Sequence, residues 1–402
     1  MLRTRRGLFD VLARGGSAGA GAAMLAARGH EAYVAELQTQ GRNARPPLPP
    51  GVNEIRLSSN ENPLGPGRQV LDAIVKKFPE AGRYPFNSTP ADSNLVAAIA
   101  ALHQVKPENV VLGAGSQEIL KSAVRAFTSA DRGLVTASPT FENPTTMAKR
   151  LGYPVKEVRV DSALKLDVDG MIAAAPGAGL VFFNNPNNPT ATVHDAKTVN
   201  DFVARVRQAS PDAAILIDEA YHEYVTDPSY ATAVPLALET PNVIVARTFS
   251  KAYGMAGMRI GYGIGRAETI KRLARFKMPY NISVFGVAAA LAALENPAYL
   301  QAERQRNTDV RNFTRKTFED LGFKSTASQT NFLFVDVNHP AQEFREACAK
   351  HGVMVGRNFP PFEKTHARIS IGTAQEMKKA AEVFRSVLKP ATVAGRQEAS
   401  WG

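Results

Sequence analysis

A lysine beside a serine, with an arginine eight residues on, is the part of this chain best suited to chemistry. Ser250, Lys251 and Arg259 lie in NVIVARTFSKAYGMAGMRIGYG, residues 242–263, between two apolar runs. A lysine buried by such flanks can lose its proton and attack a carbonyl, which is Schiff-base chemistry. Ser250 and Arg259 could hold a phosphate beside that carbonyl. Gly254 and Gly257 allow backbone to approach a ligand closely. Most lysines are solvated surface residues, so the reading depends on what other loops offer.

Four loops offer partners. Gly113-Ala114-Gly115-Ser116-Gln117-Glu118 lies between a strand-like run and a helical one. Backbone N–H groups at a helix start, with a serine, can hold a phosphate; no Gly-Lys-Ser/Thr follows, so this is not a P-loop. Ser138-Pro139-Thr140-Phe141 puts an aromatic at a strand end, where it stacks on a flat ring or fills the core. Asn184-Asn185-Pro186-Asn187-Asn188-Pro189-Thr190 is a rigid turn whose amides could bond a phenolic oxygen. Asp218-Glu219-Ala220-Tyr221 ends another apolar run. A buried aspartate there needs a cation, and a protonated pyridine nitrogen is one; capping a helix is its other use.

Each of these loops follows a strand-like run. Residues 110–112, 133–137, 180–183, 213–217 and 243–245 are short and apolar, with amphipathic stretches such as 199–206 between them. Strands alternating with helices predict a three-layer α/β/α domain with a mostly parallel sheet. Ligands in such sheets bind beyond the carboxyl ends of the strands. After residue 299 the pattern changes to a long charged helix, strands at 332–337, 353–355 and 368–371, and a last helix with Met377, Ala381, Phe384 and Leu388 on one face. This predicts a smaller α+β domain. The expected division is 54–90 for the N-terminal part of the small domain with an active-site loop, 91–285 for the large domain, 286–390 for the small one and 391–402 for a tail.

Composition narrows the class. The 402 residues are 44% hydrophobic and 21% charged, as in an ordinary globular chain. Cys348 is the single cysteine, so no disulfide forms within the chain, and the seven histidines show no metal-ligand spacing. No metal is expected. The net charge of +11 comes without a dense Lys/Arg run interleaved with aromatics, so no nucleic-acid partner is expected. The apolar run at 283–294 is too short to span a membrane.

The first thirty residues stand apart, with Arg3, Arg5, Arg6, Arg14 and Arg28 against one acid, Asp10. Thr4-Arg5-Arg6-Gly7-Leu8-Phe9 precedes a Gly/Ala-rich stretch at 15–27, and the whole resembles a twin-arginine export leader. Arg14 and Asp10 depart from that pattern. Residues 1–30 are therefore expected to direct export to the periplasm or beyond; the alternative is a cytoplasmic protein with an alanine-rich extension. Residues 31–53, with Pro46, Pro47, Pro49 and Pro50, read as an extended arm.

The order of the loops is phosphate loop, aromatic, Asn-Pro turn, Asp-x-x-Tyr, Ser-Lys, Arg. It resembles that of the aspartate-aminotransferase-like, fold-type I pyridoxal-phosphate enzymes, and more narrowly the histidinol-phosphate aminotransferase group. SNENPLGP, GAGSQE, NPNNPT, DEAY, FSKAYGMAGMRIGY and RISIGT carry the resemblance, over residues 54–390. It implies a transaminase with pyridoxal 5′-phosphate as cofactor and an amino acid and a 2-oxo acid as substrates. Lys251 would link to the cofactor and move the proton between the substrate's Cα and C4′. Asp218 would pair with the pyridinium nitrogen, Tyr221 and Asn188 would bond the phenolic oxygen, and Phe141 would stack on the ring. Ser116, Gln117, Ser250 and Arg259 would hold the phosphate. Tyr84 would reach the phosphate of a neighbouring subunit's cofactor, which implies a homodimer. Arg368, with Arg357 and Asn62, would bind the substrate and its carboxylate or phosphate. Three departures affect the substrate: Gln117 stands where the family has an acid, Ala191 where it has glycine, and Val355-Gly356-Arg357 where the histidinol-phosphate enzymes tend to have Val-Arg. The substrate is then histidinol phosphate or an aromatic amino acid. The alternative is a lyase, decarboxylase or synthase on the same fold, and beyond it a non-catalytic ligand-binding module.

The leader is testable by fractionation of cells carrying the full chain or its Arg5→Lys/Arg6→Lys variant. Export of the first and retention of the second is expected; retention of both removes the leader.

Overall fold

The computed structural model describes residues 54–84 and 90–388. The expected leader, arm and tail lie outside the described residues. The first strand, β1 (Ile55–Leu57), pairs in parallel with a late one, Val353–Val355. The chain then builds a seven-stranded sheet from β2 (Val110–Ala114), β3 (Leu134–Ser138), β4 (Val155–Arg159), β5 (Leu180–Asn184), β6 (Ala214–Asp218), β7 (Val243–Thr248) and β8 (Ile260–Gly265). Their order is β2-β8-β7-β6-β5-β3-β4. Every neighbouring pair is parallel except those made by β8.

The side-chain alternation of β5, β6 and β7 explains why helices cover both faces. Phe183, Ile215, Ile217, Val243 and Val245 enter one apolar cluster. Phe182, Leu216, Ile244 and Ala246, their neighbours along each strand, enter the other. A strand buried on both faces reads as a continuous apolar run rather than an alternating one, as in AILID and VIVART. Within this seven-stranded sheet, two strands escaped the sequence reading for physical reasons. At the sheet edge β4 (VKEVR) is charged and half exposed, and β8 (IGYGIG) is half glycine.

The antiparallel β8 creates the central loop. Thr248 of β7 pairs with Gly261 of β8, so residues 249–259 turn back at the carboxyl edge of the sheet with Lys251 and Arg259 on the turn. Gly254 has φ +71°, and a Cβ there would lie 2.0 Å from the Gly65 carbonyl oxygen. Its close approach therefore serves the chain's own 65–66 turn rather than a ligand, and Gly257 faces open space.

The remaining strands, β9 (Lys324–Ser325), β10 (Phe332–Asp336), β11 (Val353–Val355) and β12 (His366–Ser370), form a three-stranded sheet, β12-β10-β9, and the β1–β11 pair. Leu57, Phe318, Leu333, Phe344, Ile369 and Phe384 meet in their own core. The expected boundary at residue 286 is corrected by packing. It cuts the helix Val284–Leu294, whose Val287, Ala289, Ala290 and Ala293 join the large-sheet core. The helix Arg68–Lys76, expected with the small part, packs there too through Val70. Small side chains on Val284–Leu294 let the two helices approach closely.

A buried ion pair braces the sheet's carboxyl edge. The Glu219 carboxylate accepts from Arg247 Nε at 2.8 Å, Thr232 Oγ1 at 2.8 Å and the Ala233 N–H at 2.6 Å. Both charged side chains are at most 3% exposed. Glu219→Ala leaves that guanidinium buried with its main partner gone, which should cost about 3–5 kcal/mol. Equilibrium denaturation measures it; a loss below about 1 kcal/mol would mean that Arg247 finds another partner.

Candidate active site

The carboxyl ends of the parallel strands open on a cavity of about 330 Å³, walled by residues from β5, β6, the 249–259 turn and the segment around Arg368. Asp218 ends β6, level with Asn184 of β5 and Ala246 of β7. Its side chain is 2% exposed, and Oδ1 accepts the Ala220 N–H at 3.2 Å. No ion pair reaches it among the described residues. Burial pushes its carboxyl up to about 7 against the pull of that N–H and of Lys251. Lys251 opens on the same cavity, 5.7 Å from the centre of the Tyr221 ring. Burial, and then the charge of Arg368, lower its ammonium to about 8; Glu61 and Asp218 oppose that shift. Both groups therefore change charge near neutral pH.

Tyr221 stands edge-on to Phe332 at 5.2 Å. Burial pushes its hydroxyl up to about 12, so it stays a donor. It accepts 3.1 Å from Asn60 Nδ2. Asn60 is itself fixed: its N–H donates to Ser370 Oγ at 2.8 Å, its Oδ1 accepts from the same hydroxyl at 2.6 Å, and its carbonyl accepts from Asn331 Nδ2 at 3.0 Å.

One corner of the cavity suits an anion. Arg259 Nη1 donates to Ser250 Oγ at 3.3 Å and to the Ala256 carbonyl at 2.8 Å. The helix Ser116–Phe127 begins there with no side chain capping its first N–H groups. A Cβ on Gly115 would lie 2.4 Å from Arg259 Nη2, so glycine is what lets the guanidinium lie against the helix start. Ser116 is buried, Gln117 is exposed, and both line the cavity. Phe141, half-buried, faces the cavity and packs behind on the core.

Opposite lies Arg368, 8% exposed. It donates to Asn188 Oδ1 and the Ser58 carbonyl, each at 2.7 Å, and its Nε has no partner. Burial pulls its guanidinium down to about 10. Arg357 lines the mouth, stacked 4.3 Å over Phe359 and hydrogen-bonded to the Glu142 carboxylate.

Eleven of the thirteen expected site residues thus face one cavity. Asn62 does not, and that expectation is corrected. Its Nδ2 donates to the Ala252 carbonyl at 2.9 Å and its Oδ1 accepts the Leu64 N–H at 2.9 Å, so it ties the turn after β1 to the Lys251 loop. Asn60, with φ 53°, takes the place beside the cavity. Tyr84 lies outside the cavity of its own chain, 69% exposed, with its ring 5.2 Å from that of Tyr280. Sequence reasoning missed Asn60, Asn331 and Ser370. Asn60 stood within SNENPLGP and Ser370 within RISIGT, neither with a role assigned to it; nothing local marked Asn331.

The aminotransferase class I and II family matches residues 52–384. The chain is 34% identical over 344 residues to histidinol-phosphate aminotransferase of Moorella thermoacetica, covering 84% of this chain and 86% of that one. Against the enzyme of the same name from Brevibacillus brevis it is 35% identical over 345 residues, covering 84% and 92%. The crystal structure of histidinol-phosphate aminotransferase from Sinorhizobium meliloti in complex with pyridoxal-5′-phosphate matches with a TM-score of 0.75 at 30% identity, covering 83% of this chain and 91% of that one.

An amine that loses its proton near pH 8 reacts faster with aldehydes as pH rises through that value. Capture of pyridoxal phosphate by the cofactor-free protein should accelerate through about pH 8 and level off above it. Borohydride should then fix the cofactor to the Lys251 peptide. Label on another lysine, or a midpoint at the ordinary lysine value near 10.4, overturns the assignment.

Proposed function

Because the chain belongs to the aminotransferase class I and II family, we propose that it transfers the amino group of an anion-bearing amine, foremost histidinol phosphate, to a 2-oxo acid. Its cofactor is pyridoxal 5′-phosphate, and the cavity residues fit it. The buried Asp218 carboxylate lacks a cation and suits the ring nitrogen; Arg259, Ser250 and the helix start at Ser116, beside Gln117, suit the phosphate. When bound, the cofactor would supply the electron-withdrawing ring that amino-group transfer needs.

The chain's own residues do the rest. Asp218 would hold the proton on the ring nitrogen. Tyr221, kept protonated by burial, donates toward the phenolic oxygen together with the Asn188 amide, whose Oδ1 is taken by Arg368. Phe141 covers the ring. Lys251 would hold the cofactor and would carry the proton at the substrate's Cα.

Arg368 carries the substrate reading. A guanidinium this buried, with no carboxylate against it and Nε unpartnered, is costly unless a ligand's anion meets it. Arg357, paired with Glu142, is a second cation at the mouth. The relatives named histidinol-phosphate aminotransferase support a phosphate in that place. A free aromatic amino acid is the second reading, favoured by the Arg5-Arg6 leader, since an exported enzyme would not meet a biosynthetic phosphate. We take the working unit to be a homodimer in which Tyr84 reaches the partner's cofactor phosphate; Phe78 and Met278 are large exposed side chains that suit such an interface.

The test is a half-reaction with one donor at a time, followed by the cofactor's absorbance. Histidinol phosphate should convert the cofactor at lower concentration than phenylalanine or tyrosine. Arg368→Gln should raise KM for it by about 10² with cofactor affinity kept, and Asp218→Asn should lower turnover by at least ~10². An unchanged KM removes Arg368 from the substrate; a preference for the aromatic donors selects the second reading.

A further inference from the structure

A second cavity, about 220 Å³, lies away from the active site between the long helix Pro297–Asp320 and the segment at 326–330. Its charged lining comes from two arginines four residues apart on that helix, Arg311 and Arg315, which places them on one helix face. Asn312, Ser328 and Gln329 complete the polar wall. No acidic residue lines it.

Arg311 is the telling residue. It is 5% exposed. Among the described residues its one hydrogen bond runs from Nη1 to the Thr330 carbonyl at 3.0 Å, and no carboxylate lies within ion-pair distance. Burial pulls its guanidinium down to about 10, and Arg315 and Arg304 add further positive charge. Arg315 meets Glu319 at 3.7 Å on the exposed side of the helix. A buried cation facing a polar cavity with no carboxylate against it, and a second arginine beside it on the same helix face, leaves net positive charge at that cavity. Planar guanidinium forks match the oxygens of phosphates and carboxylates.

We infer that this cavity is a binding site for a compact oxyanion, a phosphate or a carboxylate group, held between Arg311 and Arg315. The site touches the segment that braces the active site. Thr330, which receives Arg311, precedes Asn331, and Asn331 Nδ2 donates to the Asn60 carbonyl. Gln329 donates its N–H to the Ala191 carbonyl at 3.0 Å, beside the Asn-Pro turn.

The test uses the holoenzyme in phosphate-free buffer at constant ionic strength, titrated calorimetrically with inorganic phosphate and separately with acetate. To exclude the active site, the titrations are repeated on Arg357→Gln/Arg368→Gln. Saturable binding of at least one anion should survive that double change. Arg315→Gln, at a half-exposed position whose loss spares the fold, should weaken it on the order of tenfold, the equivalent of one charged hydrogen bond. Arg311→Gln should abolish it, with cofactor absorbance reporting that the chain still folds. Tighter phosphate binding identifies a phosphoester ligand, and tighter acetate binding a carboxylate. No saturable binding of either anion in the Arg357→Gln/Arg368→Gln protein, or binding indifferent to Arg315→Gln, overturns the inference.

Discussion

The constraint on which this site depends is a carboxylate buried at the end of a central strand with no ion-pair partner among the described residues. Asp218 is 2% exposed at the end of β6, and its ionised form is disfavoured until a positive charge arrives. The neighbouring residue takes the opposite duty. Successive strand residues point to opposite faces, and Glu219 turns to Arg247, Thr232 and Ala233. One carboxylate is fully matched and holds the strand end still. Its neighbour is left unmatched and therefore able to select a ligand. Lys251 across the cavity is shifted the other way, so both groups sit within reach of neutrality at working pH.

Sheet topology turns that electrostatic arrangement into a fixed geometry. The parallel strands deliver Asn184, Asp218 and Thr248 to one edge, and the single reversal between β7 and β8 returns the chain with Lys251 and Arg259 over them. Rigid strands thus set the ring-binding end. The anion-binding end comes from elsewhere: Arg368 from β12 in the three-stranded sheet and Arg357 from the turn after β11. Different apolar cores hold these two halves, so the cavity lies where parts packed on different cores meet.

What could be read from the sequence follows from how locally each feature is specified. The parallel strands were legible because burial on both faces gives an unbroken apolar run followed by a loop. Lys251, Asp218 and Arg259 were legible because each chemical residue ends or follows such a run. The choice of Asn60 over Asn62 was not, because both lie in one polar loop and only the left-handed backbone at Asn60 decides which amide faces the cavity. The roles of Asn331 and of Ser370, which lies within RISIGT, were not legible because they arise from contacts hundreds of residues away. The helix Val284–Leu294 was recognised as core but assigned to the wrong half, since an apolar helix does not announce which sheet it will cover.

The clasp on Asn60 has a consequence for how the protein is made. Asn60 is held by Ser370, 310 residues later. During synthesis, residues of the large sheet leave the ribosome and can pair while Ser370 is still untranslated. Until the last strand arrives, Tyr221 lacks its seated neighbour and Arg368 is absent. Contacts of such long sequence separation form late, and domains generally fold as units as they emerge. Cofactor capture in its final geometry is therefore a post-translational event, which stabilises finished chains by mass action and leaves incomplete ones without that protection. A chain cut short near its end would be lost through turnover as an unprotected fold rather than persist as a weakly active enzyme.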